Sequence, residues 1–427
     1  MEFPCCALTP SRAVLLLFVV STVALFSQLG APLQSWDESV YAESAKEMVS
    51  SGDWLTPHWD YETFFEKPPL TIWGTAILFK LFGVNEVTSR SVSAICGVAC
   101  VLILFVIGRT FLSDYRAFLG SLILLFSPGF FYLATFGIMD VPLVCFALLA
   151  MYSYLRAKEA PRWWLFVGIA LGLAVMAKGA AAAPAFAAIS LASLIERRRP
   201  WSVWHFWIGC ALFVAVAAPW HMAMMMLHGR KFFDIYIGTH VLARATSHIQ
   251  NQNQAEGFSF YPMTLAAGFS PYTPLLIFCI FRKRFAAVPL VMLLLAAVTF
   301  GLFSAVTTKY PSYVFPLLPV LALLVAAGKR LSPWFFGALL VVGFFLSLHM
   351  VSLGHPDDDR SLALQARQSA GALSVGLEHG PAILFYSGRK VCDESELWRA
   401  EMTRCEGKPT SQIITIGQKL VYQDLSR

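Results

Sequence analysis

Apolar residues along this chain come in long blocks rather than in alternation. Runs of about 16 to 24 residues with few charges recur, bounded by short polar segments. At 1.5 Å rise per residue, about 20 apolar residues match the hydrocarbon thickness of a bilayer. The pattern predicts eleven spans, over residues 13–30, 88–111, 117–135, 138–156, 163–178, 180–195, 203–224, 260–281, 285–305, 312–328 and 332–352. The alanine-rich stretch 163–195 also fits one long helix.

Two long segments between spans show other patterns. In residues 37–50, Val40, Tyr41, Ala45, Met48 and Val49 share one half of a helical wheel, with Glu43, Lys46 and Glu47 mostly opposite. That is the pattern of a helix lying along the membrane interface. Residues 68–82 predict a second apolar helix, with Pro68 and Pro69 in the first turn, where proline is tolerated. Both belong to a long loop, 31–87. A second long loop, 225–259, reads as an interfacial helix followed by a polar stretch ending in "NQNQ". From residue 353 the character changes, and "AILFYS" and "QIITIG" read as short strands. The expected fold is an all-α polytopic membrane domain over 1–352, followed by a small external α/β domain over 353–427.

Composition narrows the class. Of 427 residues, 57% are hydrophobic and 14% charged, too little charge to cover a soluble protein of this length. The basic residues fall in alternate short loops: Arg12; Arg109 and Arg116; Arg156, Lys158 and Arg162; Arg197 to Arg199; Arg282 to Arg284; Lys329 and Arg330. The positive-inside rule makes that side cytoplasmic, with the N-terminus on it. The net charge of +6 is therefore a topology signal and excludes no membrane role in favour of nucleic acid. The first apolar run is expected to be an uncleaved helix rather than a signal peptide. Nine cysteines show no zinc spacing; Cys392 and Cys405 form either a disulfide of the external domain or two free thiols.

The predicted external face collects Asp37, Glu38, Glu66, Lys67, Asp140, Lys178, His240, Arg244, Lys309 and Tyr313. Charge at membrane depth is costly and is normally kept for a site or a partner. Carboxylates suit a base or a metal; lysines and arginine suit a phosphate at the headgroup level. Each residue also has a simpler explanation. Ser35 with Glu38 fits a helix capping box. Glu66 and Lys67 fit a local ion pair, and Asp140 is favourable at a helix N-terminus. Snorkelling accounts for Lys178 and Lys309, and a surface hydrogen bond for His240. Their gathering on one face is what a site explains and separate accidents do not.

These residues carry a family resemblance. "WDESVYAESAKEMVSSGDWLTPHWDYETFFEKPPLTIW" (36–73) resembles the first external loop of GT-C class membrane glycosyltransferases. The bacterial 4-amino-4-deoxy-L-arabinose lipid A transferases and the dolichyl-phosphate-mannose protein mannosyltransferase-like proteins are the types it is most similar to. The signature is Asp37-Glu38 with Tyr41, then Gly52-Asp53-Trp54, then Lys67-Pro68-Pro69. In family order follow "MDVPL" (139–143), "AKGAAAAP" (177–184), "APW" (218–220), "HVLAR" (240–244) and "KYPSYVFPLLP" (309–319). The tail is shorter than the arabinose transferases would lead one to expect.

The resemblance implies a GT-C fold of about 11 to 13 transmembrane helices with interfacial helices. It implies inverting transfer of a sugar from a polyprenyl-phosphate donor to a lipid A-like lipid, glycan or protein, on the periplasmic face of a bacterial inner membrane. Asp37 is the expected base or charge stabiliser, with Asp140 second and Glu38 beside it. Lys67, Arg244, Lys309, Tyr313 and Lys178 are the expected phosphate-binding residues. Glu66 and His240 correspond to positions where some relatives hold a divalent metal ion. A transporter or flippase is the competing class, which predicts charges near the bilayer midplane and two related halves; no internal repeat is visible in the sequence.

Overall fold

A computed structural model describes residues 9–34, 37–246, 257, 259–282, 287–328, 332–353, 360, 373–375, 380–387, 391–393, 411–416 and 419–424. The chain divides into two compact units: residues 1–28, 65–71 and 92–351 form one, and residues 29–64, 72–91 and 352–427 the other.

The larger unit is helical. Helix α1 (Pro10–Phe26) opens with Thr9, whose hydroxyl accepts the Arg12 N–H, and with proline at its first position. There the missing N–H costs nothing. After α4 (Glu86–Gly108) come α5 (Asp114–Leu125) and α6 (Pro128–Ala134), bent by 67°. The sequence pattern predicts one span here; Pro128 has no N–H to continue the ladder, so the helix restarts. The same holds for α12 (Phe260–Gly268) and α13 (Thr273–Phe281), bent by 116° around Pro271 and Pro274. The predicted span 312–328 is a 3-10 turn, Pro311–Leu317, running into α15 (Leu318–Ala326), again at prolines.

Helices α7 (Asp140–Ala157), α8 (Trp163–Lys178) and α10 (Trp204–Phe233) carry the site, and α8 packs against both others. The α8–α10 crossing is close because it is built on glycine. A Cβ placed on Gly168 would fall 1.9 Å from the Gly209 carbonyl oxygen. Small residues allowing backbone contact are a membrane-helix packing device. A 3-10 turn, Gly179–Ala182, separates α8 from α9 (Ala183–Ile195), so 163–195 is two helices. Helix α10 is broken at Gly229, φ 51°, and continues as a π-helical segment, Asp234–Ala243, then α11 (Arg244–Thr246). Helix α14 (Leu290–Ala305) precedes the 3-10 turn, and α16 (Pro333–Leu353) ends the unit. Five helical stretches, with 163–195 taken as one continuous stretch across its 3-10 turn, are long and apolar enough to cross a membrane, or seven if each bent pair is one span, with shorter apolar helices besides. Each of the eleven predicted spans falls on one of these helices or bent pairs.

The smaller unit contains α2 (Asp37–Ser51), the two-residue strands β1 (His58–Trp59) and β2 (Glu62–Thr63), and α3 (Leu70–Phe82) from Ile72 onward. Between the strands Asp60 and Tyr61 both have positive φ, as a two-residue hairpin turn requires. Later come β3 (Leu373–Val375), α17 (Gly380–Ser387), β4 (Val391–Asp393), β5 (Ser411–Ile416) and β6 (Lys419–Asp424). The strands form one sheet in the order β4-β3-β6-β5, with only β3–β4 parallel.

Two expectations fail in this unit. "AILFYS" forms helix α17, not a strand; short apolar runs do not distinguish the two. Helix α2 is not half-exposed. Glu43 and Glu47, expected toward headgroups, are buried. Lys46 pairs with Glu43 at 2.9 Å, and Glu47 accepts the Tyr61 N–H at 3.0 Å. Cys405 lies outside the described residues, and with it the Cys392–Cys405 pairing.

Candidate functional site

In the larger unit, residues 65–71 form a short segment pinned by Phe65. That ring is buried against His228 and Phe232, at centroid distances of 4.8 and 5.5 Å. The anchor presents Glu66, Lys67 and Pro68 to a cavity of about 280 Å³. Around the same cavity stand Lys178, Tyr236, His240, Arg244 and Tyr313, while Ala180, Ala181, Leu302, Phe303 and Val306 supply an apolar wall.

Each polar group arrives by a local rule. Lys178 is the last residue of α8, and Gly179 ends that helix with φ +58°. A Cβ at 179 would also lie 2.6 Å from the Tyr236 hydroxyl, so glycine serves both the turn and the close approach. Asp140 is the first residue of α7, where the helix dipole favours an anion. Lys178 Nζ donates to Asp140 Oδ1 at 2.5 Å, and both side chains are about nine-tenths buried. Tyr236, His240 and Arg244 follow at intervals of four, which puts them on one side of the π-helical segment and its continuation. Tyr313 comes from the 3-10 turn, its ring against Phe303 at 4.7 Å.

Tyr236 has its own support. Its ring stacks on Phe232 at 5.2 Å, and its hydroxyl meets His221 Nε2 at 3.0 Å. His221 Nδ1 lies 2.7 Å from the Ala217 carbonyl oxygen. A carbonyl only accepts, which assigns the ring proton to Nδ1; the Tyr236 hydroxyl then donates to Nε2. The cavity therefore receives the Tyr236 oxygen as an acceptor.

Charge around the cavity is cationic: Lys67, Lys178 and Arg244 against Glu66, with Asp140 already held by Lys178. Arg244 Nε and His240 Nδ1 are buried with no hydrogen-bond partner among the described residues. Buried polar atoms left without partners are costly unless a ligand completes them; Arg244 Nε is a donor, whereas the role of His240 Nδ1 depends on the ring tautomer. The arrangement suits an anion with several acceptor oxygens attached to an apolar chain.

Of the residues expected from sequence, Glu66, Lys67, Lys178, His240, Arg244 and Tyr313 line this cavity, and Asp140 stands behind Lys178. Lys309 does not join them. Its ammonium donates to the Ser304 and Val306 carbonyls at 2.9 and 3.2 Å, closing the C-terminal end of α14, and lies over the Tyr261 ring. Asp37 and Glu38 belong to the smaller unit. Asp37 is exposed in the first turn of α2, whereas Glu38 is buried, paired with Arg90 and accepting the Gln34 N–H. The expected capping box rests on Ser35, which lies outside the described residues; the Glu38 carboxylate instead accepts the Gln34 N–H.

For a metal, Glu66 Oε2 and His240 Nε2 lie 3.7 Å apart. Among the described residues no group of three His, Cys, Asp or Glu side chains gathers. Zinc takes at least three protein ligands, so these two donors alone do not fit a zinc centre, and no chemical step is assigned to one.

Sequence reasoning missed Tyr236, His221 and Arg90. Arg90 carried a usable signal, a lone arginine at the mouth of an apolar helix. Tyr236 and His221 carried none, because a tyrosine or histidine near a span is ordinary.

The family model described as dolichyl-phosphate-mannose-protein mannosyltransferase matches residues 66–222. An uncharacterized protein of Aquifex aeolicus is 30% identical over 300 residues, 68% of this chain and 58% of the other. An undecaprenyl phosphate-alpha-4-amino-4-deoxy-L-arabinose arabinosyl transferase of Aeromonas hydrophila is 30% identical over 371 residues, 81% of this chain and 66% of that protein. The corresponding transferase 1 of Sodalis glossinidius is 31% identical over 69% of this chain and 54% of its own length. The chain thus spans a little over half to about two thirds of these relatives. Among solved structures, ArnT from Cupriavidus metallidurans bound to undecaprenyl phosphate shares the fold, with TM-score 0.77 at 22% identity, covering 89% of this chain and 85% of that one. The oligosaccharyltransferase AglB from Archaeoglobus fulgidus shares it more distantly, with TM-score 0.53 at 12% identity over 89% of this chain and 64% of that one. By fold and sequence together, the chain belongs to the GT-C membrane glycosyltransferases of the arabinosyl-transferase and protein-mannosyltransferase type.

Proposed function

We propose that this protein transfers a sugar from a polyprenyl-phosphate donor to an acceptor of the bacterial envelope, with inversion at the anomeric carbon. The observation that carries the reading is the cavity where Lys67, Lys178, Arg244 and Tyr313 converge beside an apolar wall. A phosphate seats among the cations and its prenyl chain along the wall. The structure-sharing ArnT holds undecaprenyl phosphate, which supports that donor class.

An acceptor oxygen attacks the anomeric carbon as the lipid phosphate departs. The departing phosphate gains negative charge, so Lys67 and Arg244 stabilise the transition state more than the ground state. Tyr313 donates a hydrogen bond to the same oxygens. Asp140 orients Lys178 and tempers its charge until the phosphate develops its own. Asp37 is proposed to take the acceptor proton or steady oxocarbenium charge; with an acceptor that is itself a phosphate, only the second role is needed. The acceptor class runs from lipid A-like lipid to glycan to protein. The basic loops and N-terminus are proposed to be cytoplasmic, and the cavity loops and a small domain over 353–427 periplasmic, in the inner membrane.

The test uses purified full-length protein with undecaprenyl phosphate and undecaprenyl-phosphate-linked sugars. Saturable binding of undecaprenyl phosphate, lost in Lys67→Ala, and sugar transfer abolished in a folded Asp37→Asn variant are expected. Vesicle uptake of a polar solute, or movement of lipid without sugar transfer, would establish a transporter or flippase instead.

A further inference from the structure

We propose that the opposite end of the α7–α8 hairpin is a binding site for the phosphate headgroup of an anionic glycerophospholipid. A second cavity, of about 260 Å³, opens there, lined among others by Tyr154, Lys158, Trp164, Arg198 and Arg199. Two separate connections build it: Lys158 follows α7, and Arg198 and Arg199 follow α9. The two connecting segments, 156–163 and 196–203, hold six cations, Arg156, Lys158, Arg162 and Arg197 to Arg199, against two carboxylates, Glu159 and Glu196.

Glu196 already sits inside the cluster, so the question is whether donors remain for a ligand. Lys158 Nζ donates to Glu196 Oε1 at 2.5 Å, and Arg198 Nε to Oε2 at 2.8 Å. One guanidinium carries five N–H donors and an ammonium three. Arg198 therefore keeps four N–H groups beyond this bond. The Arg199 guanidinium has no recorded side-chain partner among the described residues, and it is exposed at the cavity. Glu196 orders the cluster without exhausting it.

A separate observation sets the depth. Trp201, Trp204 and Trp207 follow the arginines and are 54, 63 and 60% exposed. Exposed tryptophans beside cations mark the headgroup layer, where an indole has both apolar and polar surroundings. A basic cavity at that level meets lipid phosphates at high local concentration. The cavity is a built concavity with an aromatic floor, which separates it from a loop that is merely basic. This inference is independent of the proposed transfer reaction, whose cavity lies at the other ends of the same two helices.

Native mass spectrometry of the full-length protein, released from nanodiscs of phosphatidylglycerol or of phosphatidylcholine, tests it, with inorganic phosphate added in a third arm. Retained phosphatidylglycerol, in excess of phosphatidylcholine, is expected. Arg199→Gln should weaken retention about five-fold, the effect of one cation near a charged surface. Glu196→Gln should strengthen it, because Lys158 and Arg198 are released, and misfolding does not mimic a gain. Equal retention of both lipids, no change in either variant, or full occupancy by inorganic phosphate alone would overturn the proposal.

Discussion

Two buried ion pairs among the described residues, Arg90–Glu38 and Lys178–Asp140, look alike on paper and differ in purpose. Arg90–Glu38, in the smaller unit, is a closed knot. All five N–H donors of Arg90 are used: two on the Glu38 carboxylate, and the others on the carbonyls of Leu29, Ala31 and Pro32. Both side chains are at most 1% exposed. Lys178–Asp140, in the larger unit, is open. Lys178 makes one recorded hydrogen bond and faces a cavity beside Lys67 and Arg244. A saturated pair can only hold the chain; an unsaturated one retains donors for a ligand. Desolvating two charges is expensive in either case, so what distinguishes a site from a staple is unused hydrogen-bonding capacity.

The sharpest way to break this contrast is at Arg90. Arg90→Met removes the cation that balances the buried Glu38 carboxylate and should destabilise the fold by about 3–5 kcal/mol, read as a large drop in melting temperature. Adding Glu38→Leu should recover much of that loss. By contrast Lys67→Ala should keep the melting temperature and lower transfer by about 10²–10³-fold, the scale for losing one transition-state donor. Collapse of the fold in Lys67→Ala would remove the distinction.

Gly179→Ala should come next in size. A methyl there meets the Tyr236 hydroxyl and is disfavoured by the positive φ. The expected outcome is lower turnover with Tyr236 displaced, detected as a loss larger than that of Gly301→Ala, where the space is open. Glu47 offers a milder test in the smaller unit. Burial, reinforced by neighbouring Glu43, pushes its carboxyl up to about 7. The folded state then binds the proton more tightly than the unfolded state. Stability is highest below the unfolded value near 4.3, falls as pH rises toward 7, and is flat above. Glu47→Gln should therefore raise the melting temperature at pH 8 and change it little at pH 4. The smallest effect is expected from Lys309→Met: a modest loss of stability at the α14 end, with transfer falling far less than in Lys67→Ala.

Much of this was legible in the pattern of residues. The apolar blocks located each long helix, because the bilayer sets one length and one polarity for all of them. The Lys-Pro-Pro and His-Val-Leu-Ala-Arg stretches pointed to Lys67, His240 and Arg244, which do line one cavity. Local signals failed where a feature depends on how the backbone folds around a side chain, whether its partners are distant in sequence or, as for Lys309, three and five residues away. Helix α2 looked half-exposed because nothing in its own sequence tells that Tyr61 and α17 cover its acidic face. Lys309 looked like Lys67, and only the position of the α14 carbonyls separates them.

By itself the sequence determined that the chain is a polytopic helical membrane protein and which charged residues stand near span ends. These follow from hydrophobicity and backbone chemistry, which act over one helix length. The tertiary structure alone decided which charges meet, which are saturated, and which keep donors facing a cavity. Hydrogen-bond capacity is consumed by whatever lies within about 3 Å, and for Arg90, Lys178 and Lys309 those neighbours come from loop and helix-end carbonyls or from a carboxylate 38 to 52 residues away.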